Sequence, residues 1–593
     1  MPASEAELER LRRKYREERN RHLAADRASS LDLRGPFSRY RQDLYAAWVP
    51  REPVVDEADV LVVGAGLGGL VSAARLREAG VRRIRLVDFA GDVGGVWYWN
   101  RYPGVRCDVE SYIYMPLLEE LGYIPREKYA SGGEILAHAR AIAKHYDLYR
   151  QALFHTTVTG MRWDDEAGCW RVQTDRGDSL RSQYVVLALG TLNEPRLPMI
   201  PGIERFAGAI FHSSRWDYAV TGGAEDGELT GLAGKHVALV GTAASSVQCV
   251  PVLARWAGRL YVVQRTPCTV MPRDNRSTEP GWGREFEPGW QLRRMENFSS
   301  ILDGGGAEVD LVDDGWTQTF SDLLKGSRMA DLDESQRARE LALADAARMN
   351  EIRARIDATV TDVDTAERLK PYYSYLCKRP CFHDEYLPAF NRPNVTLLDT
   401  EGRGMDEIRE HEIVVRGRGF PVDVLIFATG FQPGENSALA KLNFPIAGHG
   451  GQSLTSKWRG GIATLHGVAS SGFPNLFFHP TLNSQSTGSS NWTHMICLTA
   501  AHIAHVVDQV RRRGHRVFEV TPEAETGWVN IILASRVDNR EFLEACTPGR
   551  VNNEGRPADR PPQNANYGPG LLGLIGALDR WHRDGDLPGM ATR

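Results

Sequence analysis

The chain has 593 residues, 42% hydrophobic and 25% charged, enough for two or three ordinary domains with large cores. A formal net charge of −5 leaves no basic footprint for nucleic acid, and no apolar run approaches the ~18 residues that a membrane-crossing helix needs. The eight cysteines include no C-x-x-C, which argues against a redox dithiol and leaves a reduced cytoplasmic protein as the expectation.

Residues 4–25 read as a charged helix, with Ser4 and Glu7 at capping-box spacing. Met1 to about Arg27 is rich in Glu and Arg and has no apolar centre, so neither a secretory signal nor a transit peptide is expected there. Leu31 to Glu57 carries Pro36, Pro50 and Pro53 and reads as an irregular lead-in. Next comes Asp59-Val-Leu-Val-Val-Gly64-Ala-Gly66-Leu-Gly-Gly69, an apolar strand opening into G-x-G-x-x-G. In a βαβ nucleotide unit such glycines let a pyrophosphate approach the backbone, and a residue near the end of the second strand faces the ribose. Here that residue is Asp88, a carboxylate suited to a ribose diol. Gly94, Gly95, Trp97 and the aromatics up to Tyr102 follow, ending at Asp108. They read equally as a wall for a flat cofactor or as an aromatic core loop. Tyr184 to Leu189 is a buried strand meeting another glycine turn at Gly190.

Pro195 to Pro201 reads as a proline-punctuated hinge between domains. Phe206, Gly208, His212 and Trp216 follow; a lone histidine is more often structural, so His212 is not expected to act as acid or base. A second glycine turn is His236-Val-Ala-Leu-Val-Gly241-Thr242-Ala243-Ala-Ser245-Ser246, with Gln248 a few residues on. Ala243 and Ser246 stand where glycines are expected, and the methyl at 243 crowds the pyrophosphate approach, so nucleotide affinity should be modest. The position that holds Asp88 in the first unit holds Arg265 here, and a guanidinium suits a 2′-phosphate. The pair of turns therefore implies FAD in the first site and NADPH in the second. Residues 270–369 interrupt the second unit with a helical run at 334–357. Cys377, Cys381 and His383 lack a second ligand pair at zinc spacing, so no metal is expected. Val422 to Phe431 resembles the strand ending at Gly190, which suggests that the first domain is discontinuous and is completed after about 394.

The fold class follows as α/β, with two Rossmann-like dinucleotide-binding domains and a helical insertion in the second. The division expected is 1–57 as an N-terminal helical extension and 58–200 as the first part of the FAD domain. Residues 201–393 would be the NADP domain with its insertion, and 394–593 the rest of the FAD domain with a C-terminal tail.

These strings together resemble the type I Baeyer–Villiger monooxygenases over roughly residues 55–545. The family's F-x-G-x-x-x-H-x-x-x-W is matched at Phe206, Gly208, His212 and Trp216, and its G-G-x-W and Y-P-G-x-x-x-D strings run from Gly94 to Asp108. Gln264-Arg265-Thr266-Pro267, Lys378-Arg379 and Ala428 to Phe431 match three further segments. The resemblance implies that NADPH reduces FAD, that the reduced flavin activates O₂, and that one oxygen atom enters beside a ketone carbonyl to give an ester or lactone. It implies Arg379 as the cation that stabilises the anionic oxygen nucleophile, with Asp108 orienting it. Lys378, Arg265 and Thr266 would grip the 2′-phosphate, and Trp216 would couple the two cofactor domains. Gly64, Gly66, Gly69, Asp88, Gly95, Trp97 and Asp108 on one side, and Gly241, Thr242, Ser245, Gln248 and Trp216 on the other, complete the expected cofactor contacts. The N-terminal extension and the tail around Asn552-Asn-Glu-Gly555 are similar to a subgroup acting on bulky macrocyclic or tricyclic sesquiterpenoid ketones in antibiotic biosynthesis, pentalenolactone-type ketones among them.

Other classes share parts of this pattern. A flavin monooxygenase oxidising nitrogen or sulfur has the same turns, a flavin reductase feeding a protein partner would need a redox dithiol, and a non-catalytic nucleotide-sensing module would consume no NADPH. Trp216-Asp217 and Lys378-Arg379 favour ketone chemistry.

Overall fold

Aliphatic, β-branched runs build two separate sheets, and each glycine turn sits at the carboxyl end of a central strand. The computed structural model describes residues 5–24, 30–33, 35–305, 307–324, 332–432, 444–487, 491–557 and 560–593. Helix α1 (Glu5–Ala24) precedes strand β1 (Val55–Val63), which leads into helix α2 (Leu67–Glu78) and strand β2 (Ile84–Val87). The short β3 (Ala152–Leu153) and the meander β4 (Val158–Asp164), β5 (Cys169–Thr174) and β6 (Ser179–Leu187) complete the first part of the sheet. β1 lies between β2 and β6, parallel to both, with Val63 opposite Val87 and Leu187.

The second unit runs through β7 (Ala209–His212), β8 (His236–Val240), helix α3 (Ala244–Trp256) and β9 (Arg259–Gln264). Helices α4 (Trp290–Leu302), α5 (Gly315–Leu324) and α6 (Glu334–Thr359) then form the insertion. Asp333 starts α6 with a reciprocal capping box to Gln336. Strands β10 (Val395–Asp399) and β11 (Val424–Phe427) close the second sheet in the order β10-β9-β8-β11-β7, all parallel. This changes the expected division at 394, because both strands after that point belong to the second sheet. The chain re-enters the first sheet only at β12 (Ile446–Ala447), paired with β4, and β13 (Leu476–Phe478), paired with β6. The error has a physical cause: the strands before Gly190 and Gly430 are equivalent, each lying beside its own glycine-turn strand, and likeness of sequence does not say which sheet a strand joins.

Alternate residues of each central strand enter different cores, as a period of two requires. Val60 and Val62 share a core with Val237 and Leu239, so one apolar mass joins the inner faces of both sheets. Leu61 and Val63 pack with Trp163 and Trp170 on the outer face of the first sheet, and Ala238 and Val240 with Tyr261 on that of the second. Helix α7 (Trp492–Arg512) covers α2. Helix α1 packs Leu8 and Leu11 against Ala346 of the insertion, and Glu7 accepts a hydrogen bond from Asn350. Cys377 and Cys546 form a disulfide, and the other six cysteines are free, which departs from the expectation of a fully reduced chain. Among the described residues no helix is long and apolar enough to cross a membrane.

Candidate active site

The first glycine turn is a slot between two backbones. Gly64 has φ +104, and its N–H donates to the Val87 carbonyl, tying the turn to β2. A Cβ on Gly69 would overlap the Gly64 carbonyl, so the third glycine lets α2 lie close against the strand. Gly66 is the N-cap of α2, and Gly95 faces it with φ +56. A Cβ on Gly95 would come 2.7 Å from the Gly66 Cα. Those missing side chains leave a cradle at a helix N-terminus, where free N–H groups and the helix dipole favour a pyrophosphate. Asp88 stands at the end of β2 and is buried. Its carboxylate accepts from Ala65 N (2.6 Å) and Ala90 N (2.8 Å), so it braces the turn from beneath. Burial raises its pKa to about 6 despite those two donors.

The second turn repeats the scheme with other side chains. Gly241 has φ +118 and donates to the Val263 carbonyl, and Ala428 N donates to the Val240 carbonyl as Ala188 N does to Val63. Ser246 replaces the third glycine; it is buried, and its hydroxyl has no hydrogen-bond partner. Thr242 donates to the Thr266 carbonyl, 2.6 Å away, which fixes the turn to the segment carrying Arg265. Three cations converge here. Arg265 pairs with Glu554 at 3.1 Å, Arg196 pairs with the same carboxylate at 3.1 Å, and the Lys378 ammonium donates to the Pro548 carbonyl at 2.9 Å. Thr266 Oγ1 lies 3.3 Å from His22 Nδ1, so helix α1 also reaches this site. Cations of this kind beside a helix N-terminus fit the 2′-phosphate of a nicotinamide nucleotide.

Arg379 and Asp108 join the two units. Both guanidinium Nη atoms donate to the carboxylate, at 2.6 and 2.7 Å, a bidentate pair between residues 271 positions apart. Half of the Arg379 side chain stays open, whereas Asp108 is nearly covered. Desolvation alone would lower the arginine's affinity for its proton, but the Asp108 charge outweighs it and holds the group charged far above neutral pH. Trp316 of the insertion donates to the Asp108 carbonyl at 2.9 Å and lies 5.5 Å beneath the guanidinium.

Other expected contacts take a different place. Gln248 spends its amide on loop 102–106: Oε1 accepts from Tyr102 and from Arg106 N, and Nε2 donates to the Arg106 carbonyl. It clamps one unit to the other and is not aimed at a nucleotide. Ser245 likewise lies beside the Tyr102 hydroxyl. Trp216 is fully buried, and its indole donates to Thr221, which leaves no surface for a cofactor and corrects its assignment as a binding residue. It serves the linker: its N–H donates to Tyr45, and the adjacent Arg215 lies 3.6 Å from the centroid of the Trp99 ring. The aromatic loop is thus largely core, with Trp97 donating to Tyr114 and Trp99 stacked on Phe89. Burial, then the charge of Arg215, pulls His212 down to about 3, so the ring is neutral. Sequence reading missed Arg196, Glu554 and Trp316, because their partners are far away along the chain and no spacing announces them. Cys377 is consumed by its disulfide, and among the described residues no group of three His, Cys, Asp or Glu is set to hold a metal.

Residues 62–121 match the family described as NAD(P)-binding Rossmann-like domain. The chain is 50% identical to pentalenolactone D synthase of Streptomyces arenae, over 99% of this chain and 100% of that one. It is 47% identical to a Baeyer–Villiger monooxygenase of Streptomyces coelicolor, over 97% and 95% of the two chains. Among solved structures, the polycyclic ketone monooxygenase of Thermothelomyces thermophila superposes with a TM-score of 0.89 at 37% identity, covering 99% of each chain.

Proposed function

Because the chain belongs to the Baeyer–Villiger monooxygenases, we propose that it oxygenates a bulky polycyclic ketone at the cleft beside Arg379. The enzyme uses FAD, NADPH and O₂ and converts a ketone to an ester or lactone. When bound, FAD reduced by NADPH supplies the activated oxygen. Identity to pentalenolactone D synthase along the whole chain supports a tricyclic ketone of antibiotic biosynthesis as the substrate. In this reading the slot of Gly64, Gly66, Gly69 and Gly95, with Asp88, holds FAD, and the turn at Gly241 and Thr242, with Arg265, Thr266 and Lys378, holds NADPH. The FAD domain comprises roughly 58–200 and the chain after 444, and the nicotinamide domain 201–432. We read the enzyme as cytoplasmic, with six of eight cysteines as free thiols.

One observation carries the proposal: a permanently charged, half-open Arg379 is fixed by a bidentate carboxylate from the opposite unit. Oxygen insertion needs negative charge held without a proton, and a guanidinium donates hydrogen bonds while never giving up its charge. Asp108 keeps the guanidinium plane in position before charge develops, so no reorganisation is needed at that moment. The test is incubation of the FAD-loaded enzyme with NADPH, isotopically labelled O₂ and a panel of tricyclic and simple cyclic ketones. Mass spectrometry should find products heavier than the polycyclic ketones by one labelled oxygen atom. Turnover of amines or thioethers in place of every ketone would overturn the reading.

A further inference from the structure

The segment 546–555 crosses the cation cluster of the second turn and is fastened at several points. Cys546 is bonded to Cys377, the neighbour of Lys378, and the Pro548 carbonyl accepts from Lys378 itself. A Cβ on Gly549 would come 2.7 Å from the Lys378 Nζ, so a side chain there would push the ammonium aside. Asn552 is buried and knits the strap: its Oδ1 accepts from Gly549 N and Gly555 N, and its Nδ2 donates to the carbonyls of Leu543 and Cys546. Asn553 and Glu554 both adopt positive φ, 48° and 56°. That region is disfavoured for a glutamate by about 1 kcal/mol or more and persists only where surrounding contacts dictate it. Here the Glu554 N–H donates to the Gly549 carbonyl at 2.7 Å, which aims the side chain inward.

The carboxylate so placed divides itself between two guanidinia, Arg196 and Arg265, each at 3.1 Å. A phosphate monoester between the same two arginines would use its oxygens in the same way. The two arginines hold Glu554 ionised, near a pKa of about 2, although burial pushes the other way. Glu554 is not a neutral bystander, therefore; it presents a full negative charge where another anion would have to sit.

We propose that Glu554 is a specificity-determining residue that stands in for the 2′-phosphate between Arg196 and Arg265, so that NADPH must displace it while NADH need not. The proposal rests on the reading of Arg265 as the 2′-phosphate ligand. With the carboxylate present, like charges oppose the phosphate, and the strap sets how tightly the nucleotide is held. An intramolecular carboxylate of this kind also offsets the mutual repulsion of the two arginines and keeps them oriented when no nucleotide is bound.

The experiment is calorimetric titration of the FAD-loaded enzyme with NADP⁺ and with NAD⁺, comparing wild type, Glu554→Gln, Glu554→Asp and Arg265→Ala. Glu554→Gln keeps the shape and removes the charge; it should tighten NADP⁺ by roughly three- to thirtyfold and leave NAD⁺ within about twofold. Glu554→Asp retains the charge, and its Kd for NADP⁺ should stay nearer the wild-type value. If NADP⁺ binds Glu554→Gln equally or more weakly while Arg265→Ala still loses NADP⁺ affinity, Glu554 merely braces Arg265 and this proposal fails alone. If Arg265→Ala leaves NADP⁺ binding unchanged, the phosphate reading fails and takes the proposal with it.

Discussion

The two glycine turns share a backbone and differ in what their side chains do. Each first glycine has a large positive φ, ties its N–H to the neighbouring strand, and would drive a Cβ against the alanine carbonyl of the adjacent strand, Ala188 in one case and Ala428 in the other. Beyond that the units part. Gly69 has no room for a side chain, while Ser246 fits at the same place with an unpaired hydroxyl. Asp88 is buried under its own turn, whereas Arg265 is nearly half open and meets a carboxylate from the far end of the chain. In the proposed reading the turn geometry would receive a dinucleotide backbone in either unit, and the residue ending the second strand would decide which ribose is accepted.

The sharpest way to break the equivalence is a methyl group at the third position. Gly69→Ala should disrupt the packing of α2 on β1 by about 3 kcal/mol or more and release FAD, whereas Ser246→Ala should change stability by less than about 1 kcal/mol. Thermal unfolding and flavin content after gel filtration measure both. Equal losses would mean that the two turns pack alike. Next in size, Arg265→Ala should raise the KM for NADPH roughly 10- to 100-fold and that for NADH by no more than about threefold. Equal effects on both nucleotides would remove the phosphate role.

A smaller effect separates the strand-end residues by pH. The folded-state pKa of Asp88, about 6, lies above its ordinary 3.8. Between those values the folded chain holds the extra proton, so stability of the flavin-free protein falls as pH rises through that window. A protonated Asp88 also loses an acceptor for the ribose diol, so bound flavin should decline as pH drops from 7 to 5. Asp88→Asn should flatten that decline; an unchanged profile would place the titrating group elsewhere.

The nucleotide units were legible because their chemistry is local: Gly64 to Gly69, Asp88 and Arg265 are fixed by the spacing of a strand, a turn and a helix. The cation pair was reached through family strings, and the geometry then supplied the reason, a bidentate grip between Asp108 and Arg379. Trp216 and Gln248 misled because linker and binding residues carry the same side chains, and only the partners of their hydrogen bonds distinguish them. Glu554 and the Cys377–Cys546 bridge were out of reach, since their partners are set by the folding of the tail over a distant unit. The strand at 424–427 misled for the opposite reason, a local pattern too well repeated to reveal its sheet.

Arg379 is the residue on which ester formation should depend most, and the direct test is the fate of electrons in Arg379→Ala. FAD-loaded variant and wild-type enzyme would be given NADPH, O₂ and a polycyclic ketone that the wild type converts, with ester and hydrogen peroxide quantified against NADPH consumed. The variant should keep its flavin and oxidise NADPH but release hydrogen peroxide in place of ester. Ester formed at the wild-type rate would contradict that dependence.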